Sequence, residues 1–352
     1  MAATTAGQSG LLIIDKPQGV TSHDLVAAVR GALHMRKVGH AGTLDPMATG
    51  VLVVGFGNAT RLLNIIVEHS KTYSATVRFG QRTTTDDADG EIMPGEAGAP
   101  LPDLGAVREA VAQSFTGRIE QVPNAYSAIK VNGRRAYDLA RAGAEVELKA
   151  REVTIRRFDV LDAHAATAAD GTPVLDVDIE VECSAGTYIR ALARDLGDLF
   201  GCGAHLTRLR REAIGAFRAD DPRAVHAHVE SRTFTNREGV TVTRNRAVLD
   251  ETGHALLSRA LPMIDAVRGA LPIVEVGEGE ARDLRFGRRI ACPAQLPGGV
   301  PCAAVVPATR DVVAIAERAN ARELKPLTVF PHRPAGTDNL EQLAHITRGE
   351  MN

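Results

Sequence analysis

One carboxylate stands alone among small and apolar residues: Asp45, in GHAGTLDPMATGVLVVGFGNATRL (39–62). Pro46 drives Asp45 towards extended backbone, so the acid is presented on a turn of set shape. Asp before Pro is also an ordinary turn former, and alone the pair would be read as one. Four further stretches bear on it. LLIIDKPQGVTSHD (11–24) sets Lys16 and Pro17 just past an apolar run, and SKTYSATVRFGQRTTTDDADGE (70–91) sets Tyr73 at the mouth of a strand. CSAGTYIRALARDLG (183–197) sets Tyr188 and Arg190 at a helix start, and GCGAHLTRLRR (201–211) sets Leu209 in a basic segment.

Competing chemistries find little support. GFGNAT lacks the third glycine of a dinucleotide fingerprint, and no G-x-x-x-x-G-K-[ST] loop occurs. TDDADGEIMPGE (85–96) places Asp87, Asp89, Gly90 and Glu96 as a calcium loop would, but Thr85 replaces the first acid and Pro94 interrupts. The histidines show no H-E-x-x-H spacing, and the four cysteines form no C-x-x-C pair. No metal, cofactor or disulfide framework is expected, and such cysteine usage fits a reducing compartment.

The elements that must position these residues follow from patterning. A chain of 352 residues with 44% hydrophobic and 24% charged residues has ample material for one large domain or two. The N-terminus lacks the positive start and apolar stretch of a signal peptide, so the expected location is cytoplasmic. The apolar run 11–15 predicts a buried strand, and Thr21 with Asp24 predicts a capped helix through Leu25, Val26, Val29 and Leu33. Tyr73, Ala75, Val77 and Phe79 alternate with polar residues, as in a half-buried strand. Helices are expected at 104–115, 134–142 and 188–200, and strands at 51–54, 152–160, 174–182 and 206–211. This mixture lacks a βαβ repeat and predicts an α+β sheet protein. Residues 225–258 are polar and weakly periodic, and predict an insertion or linker. Beyond them a short helix near 281–284 and several short strands predict a small β-barrel, followed by a loose tail. The net charge of −2 masks arginine clusters, including Arg208 with Arg210 and Arg211, and Arg282, Arg285, Arg288 and Arg289. Such clusters are commonly solvated faces, yet one basic face on a near-neutral protein can bind RNA.

Taken in order, D-K-P-x-G, G-H-x-G-x-L-D-P-x-A-x-G, K-x-Y, Y-S-A-[IL]-K, G-T-Y-I-R and G-x-G-A-H resemble the TruB-type tRNA pseudouridine synthases, from about residue 10 to 218. The resemblance implies a synthase core with a mixed sheet flanked by helices over 1–222. A polar insertion over 223–261, a PUA-like RNA-binding barrel over 262–331 and a tail over 332–352 complete the expected organisation. It implies a monomer that isomerises uridine to pseudouridine at position 55 in the T-loop of tRNA, with no cofactor. Asp45 matches the family nucleophile, which could attack either the ribose C1′ or the uracil ring. Arg190 matches its partner, whose charge favours an ionised carboxylate. Tyr73 matches the residue that stacks on the target base and is a proposed general base, with Tyr188 and Leu209 lining the same pocket. His40 matches the residue that fills the stack when the base flips out, and Lys16 one that positions the active-site loop. Residues 124–146 resemble a thumb-like segment that grips RNA, where Lys130, Arg134 and Arg135 would meet phosphates. A binding module that folds tRNA without turnover is the other function class.

Overall fold

Where one face of a strand is buried and the other wet, the sequence alternates, and that alternation marks the strand that anchors the candidate site. In the computed structural model, Lys71–Phe79 is buried at every second residue. The described residues are 8–93, 99–124, 126, 129–131, 134–135, 148–236, 239–296 and 298–332. In chain order the main elements are β1 (Gly10–Lys16), α1 (Ser22–Leu33), β2 (Thr49–Phe56), β3 (Lys71–Phe79), α2 (Leu104–Ser114), β4 (Gly117–Gln121), β5 (Arg151–Thr167), β6 (Pro173–Cys183), α3 (Ile189–Leu199), β7 (Ala204–Ile214), β8 (Val225–Thr235) and β9 (Thr241–Leu249).

The chain divides into two units. One comprises Asp45–Gly50 and Glu68–Ile214, and the other comprises Met1–Leu44, Val51–Val67 and Gly215–Asn352, so their segments alternate along the chain. In the Asp45-bearing unit the strand order is the start of β2, then β7, β3, β6, β5 and β4. β7 runs antiparallel to β3, with Leu209 opposite Ala75 and Arg211 opposite Tyr73. It also runs parallel to the start of β2, with Arg211 opposite Gly50. α3 packs on β7, and Gly197 permits this, because a Cβ there would lie 2.1 Å from the Ala204 nitrogen.

In the other unit β2, β1, β8 and β9 lie side by side, β8 parallel to β1 with Ile14 opposite Val225. α1 begins with a capping box: Asp24 N–H donates to Thr21 Oγ1 at 3.2 Å, and Thr21 N–H donates back to Asp24 Oδ2 at 2.7 Å. Such caps contribute about 1 kcal/mol each. Its buried stripe of Leu25, Val29 and Leu33 joins Leu12, Ile14, Leu52, Val54 and Phe56 in one core. The expected C-terminal barrel is a five-stranded sheet, ordered Ile273–Glu275, Cys302–Val306, Asp311–Arg318, Glu323–Val329 and Ile290–Ala291. The helix Glu278–Arg285 buries Ala281 and Leu284 against it. Among the described residues no helix is long and apolar enough to cross a membrane.

Two local expectations differ from the structure. The stretch expected as a polar insertion is the β8–β9 hairpin followed by a helix, Gly253–Ser258. Its outer strands face water on both sides, so the period-two apolar signal is missing. The helix expected from residue 134 begins as a strand pair, Lys130–Val131 with Arg134–Arg135. Residues 136–142 lie outside the described residues, as do most of the thumb-like segment and all of the tail beyond His332.

Candidate active site

The site is built around a buried guanidinium. Arg190 occupies the first turn of α3, where GTYIR leaves β6 through a tight turn, with Tyr188 as N-cap. Tyr188 is fixed by the buried Gln121 amide at the end of β4: its N–H donates to Gln121 Oε1 at 2.8 Å, and Gln121 Nε2 donates to its carbonyl at 3.0 Å. The Arg190 side chain is only 4% exposed, and four polar groups converge on it. Nε donates to Asp45 Oδ2 at 2.9 Å and Nη2 to Asp45 Oδ1 at 3.2 Å, a two-point grip on one carboxylate. Nη1 donates to the Thr85 carbonyl at 2.7 Å and Nη2 to the Tyr126 carbonyl at 2.8 Å. Asp87 Oδ2 lies 3.3 Å from Nε, placing a second acid beside the same cation.

The two acids differ in setting. The Asp45 side chain is 35% exposed, whereas Asp87 is buried. The setting of Asp45 is thus one-sided: the arginine closes one flank and the other flank is open. Burial pushes the Asp87 carboxyl above the usual aspartate range. The Thr85 hydroxyl, donating to Asp87 Oδ1 at 2.5 Å, and the Arg190 charge act against that rise.

Tyr73 and Ala75 of β3 share a buried face with Leu209 and Arg211 of β7. Burial raises the Tyr73 phenol above its usual range, and the charge and hydrogen bond of Arg211 pull the other way to a lesser extent. The phenol is therefore protonated at neutral pH, and a base role for it would run through the neutral hydroxyl oxygen. Arg211, 1% exposed, is the largest fully buried side chain among the described residues. Its backbone also holds the Asp45 loop, since Gly50 at φ +99° lies so close that a Cβ would come 2.2 Å from the Arg211 carbonyl oxygen. Only glycine tolerates that φ and that approach together. At the start of β3, burial and the nearby Arg211 charge lower the Lys71 pKa to about 8, while Lys71 Nζ donates to the His69 carbonyl at 2.8 Å.

One unit therefore holds Asp45, Tyr73, Tyr188, Arg190 and Leu209. His40 and Lys16 belong to the other. His40 ends the strand Val38–His40 and meets His23 edge-on at 5.4 Å, and the buried Lys16 donates to the Pro17 carbonyl at 3.0 Å. Lys130, Arg134 and Arg135 are placed by backbone pairing alone, their side chains falling outside the described residues. Sequence reasoning missed two members of the site. Asp87 sits in the TDDADG run set aside with the calcium loop, and Arg211 in a basic cluster expected on the surface, as a solvated or an RNA-binding face. The first had a usable signal, an acid pair following the strand that carries Tyr73.

Three family models match the chain: TruB family pseudouridylate synthase (N-terminal domain) at 30–189, tRNA pseudouridylate synthase B C-terminal domain at 190–251, and tRNA pseudouridine synthase II, C-terminal, at 271–331. A tRNA pseudouridine synthase B of Bifidobacterium longum subsp. infantis is 52% identical, covering 92% of this chain and 98% of its own length. One from Arthrobacter sp. (strain FB24) is 47% identical, covering 92% and 96%. Among solved structures, an H/ACA RNP bound to a substrate RNA containing 2′-deoxyuridine matches with a TM-score of 0.62 at 23% identity, covering 94% of this chain and 87% of the other. A Cbf5–Nop10–Gar1 complex matches with a TM-score of 0.62 at 24% identity, covering 92% and 84%. At these identities the structural likeness is one of fold.

Proposed function

The chain belongs to the TruB family of pseudouridylate synthases, and from that premise we propose that it isomerises uridine to pseudouridine in tRNA, at position 55 of the T-loop, with Asp45 as the nucleophile. The observation that carries this reading is the two-point hold of a buried arginine on a carboxylate whose other flank is open. A nucleophile must be fixed in direction and still meet its substrate, and this arrangement does both.

The isomerisation needs no external reactant. Asp45 attacks the ribose C1′ or the uracil ring, the N1–C1′ bond breaks, the uracil turns over, C5 bonds to C1′, and the bond to Asp45 breaks, on C1′ as C5 displaces it or on the ring as the adduct collapses, which frees the carboxylate. The C5 proton then leaves and N1 ends protonated, so the atom count is unchanged. Arg190 keeps Asp45 aimed throughout and carries its counter-charge. Tyr73 stacks on the target base with its neutral hydroxyl near the reacting ring, while Tyr188 and Leu209 shape the walls. His40 fills the stack vacated by the flipped base, offsetting part of a cost of a few kcal/mol. Lys16 positions the active-site loop, and Lys130, Arg134 and Arg135 meet phosphates from the thumb-like segment. Residues 1–222 act as the catalytic region and 262–331 as an RNA-binding module.

The test is to incubate the protein with unmodified tRNA and map pseudouridine chemically. Wild type should modify one T-loop uridine. Asp45→Asn should leave tRNA binding near wild type and abolish product, because the amide keeps the size but is a far poorer nucleophile. An Asp45→Asn variant that converts uridine at the wild-type rate would overturn the mechanism. A wild type that binds and refolds tRNA without product would make the protein a binding module.

A further inference from the structure

The β8–β9 hairpin breaks a local rule that strands normally obey. At its base Val225, Ala247 and Leu249 enter the core, but from Glu230 outward nearly every residue is exposed on both faces. A two-stranded ribbon with no core of its own is marginal in water. Across it, Glu230 faces Arg246 in an ion pair at 2.7 Å, as cross-strand charges usually arrange. The next position on the same face sets Arg232 directly opposite Arg244. Like charges so placed destabilise the pair. Among the described residues neither arginine makes an ion pair, and Arg244 lies over the exposed Phe234 ring, 5.9 Å from its centroid. By contrast, Arg285, Arg288 and Arg289 of the C-terminal module are neutralised by Asp311, Asp283 and Glu323. The reverse face of the hairpin carries neutral polar pairs, Ser231 with Asn245 and Thr233 with Thr243, each at 2.8 Å.

We propose that the outer half of this hairpin is a docking surface for the phosphate backbone of RNA, with Arg232 and Arg244 as paired phosphate ligands and Phe234 as their apolar support. The inference rests on tRNA being the substrate. Two exposed guanidinium forks a cross-strand pair apart suit a chain of phosphates, each able to accept two parallel hydrogen bonds. A polyanion also explains a like-charge pair that folding alone disfavours, because local conflicts of this kind mark sites kept for function. The Asn245 amide donates to the Gly19 carbonyl at 3.0 Å, tying the same ribbon to the loop that follows Lys16.

The test uses the full chain, unmodified tRNA and filter binding across a salt series. Replacing both arginines by glutamine should lower the log–log salt slope by about 1.4–1.8 and weaken binding at 0.1 M salt by about thirtyfold, the loss expected for two phosphate contacts. Replacing both by lysine should keep the slope, since charge number is unchanged. Arg232→Glu serves as the folding control: it creates an opposite-charge pair with Arg244, so Tm should hold or rise while tRNA affinity falls. A wild-type salt slope in the double glutamine variant overturns the proposal and would leave an acidic protein or anionic lipid surface as the occupant to test. The predicted slope change in the double glutamine variant, with a wild type that binds tRNA but forms no pseudouridine, would instead refute the proposed function and leave the docking surface standing. No tRNA binding by wild type would overturn both.

Discussion

Asp87→Asn separates stability from function more sharply than any other single change at the site. Asp87 Oδ2 lies 3.3 Å from Arg190 Nε, and that N–H already donates to Asp45, so the Asp87 contribution is charge rather than a hydrogen bond. Two unit charges at that separation attract by about 5 kcal/mol in an effective dielectric of about 20. Most of this is offset in the folding balance by the cost of burying the carboxylate, which is why the Asp87 pKa is raised. The sign follows. A raised folded pKa means that the folded state favours the protonated acid, so any stabilisation from this group is present at low pH and lost as pH rises through the folded value. A neutral amide should therefore cost little at pH 7, within about 1 kcal/mol, and should remove the stabilisation that Asp87 contributes at low pH, steepening the acid limb of stability against pH. Arg190, in contrast, loses one of the two charges that fix its plane, and a displacement of about 1 Å at the reacting groups costs on the order of 100-fold in rate. Single-turnover pseudouridine formation on unmodified tRNA, with Tm measured across pH, checks both halves. A rate within twofold of wild type would refute the idea that Asp87 holds Arg190 in place.

Two further outcomes are expected. Lys71, lowered by burial to about 8, binds fewer protons in the folded than in the unfolded state between that value and 10.5. Stability should therefore gain from this residue as pH rises through that window, and Lys71→Met should raise Tm at pH 7, which a pH series of thermal melts of the two proteins would read. An isolated T-arm hairpin should be converted, because the blocks at 39–50, 124–146 and 201–211 can all serve one stem-loop, and no turnover on it would mean that the whole tRNA shape is read.

The parts of the fold that announce themselves are those where one physical demand acts alone. The alternation of β3, the capped stripe of α1 and the turn before Arg190 each follow from burial on a single face. The hairpin escaped because its strands are wet on both sides, leaving no apolar period to find. Asp45 and Arg190 were legible as a pair only because separate motifs agreed in order, and nothing in the sequence across their separation of 145 positions states that they touch. Arg211 was hidden by a general truth: adjacent arginines are mostly solvated. Arg211 is buried because β7 alternates, sending Leu209 and Arg211 inward and Arg208 and Arg210 outward.

The parallel pairing of β1 with β8 sets a schedule for the growing chain. Ile14 leaves the ribosome early, yet its strand partner Val225 follows only after the whole Asp45-bearing unit has been made. At translation rates of about 5–20 residues per second, that interval is roughly 10–40 s. During it one edge of β1 is unpaired by β8, and its leucines and isoleucines depend on α1 and β2 for cover. Within the inserted unit the waits are shorter, since the pairing of Gly50 with Arg211 closes before β8 is made. Slow decoding upstream of residue 225 would thus prolong the exposure of an aggregation-prone edge, whereas slow decoding after residue 249 would not.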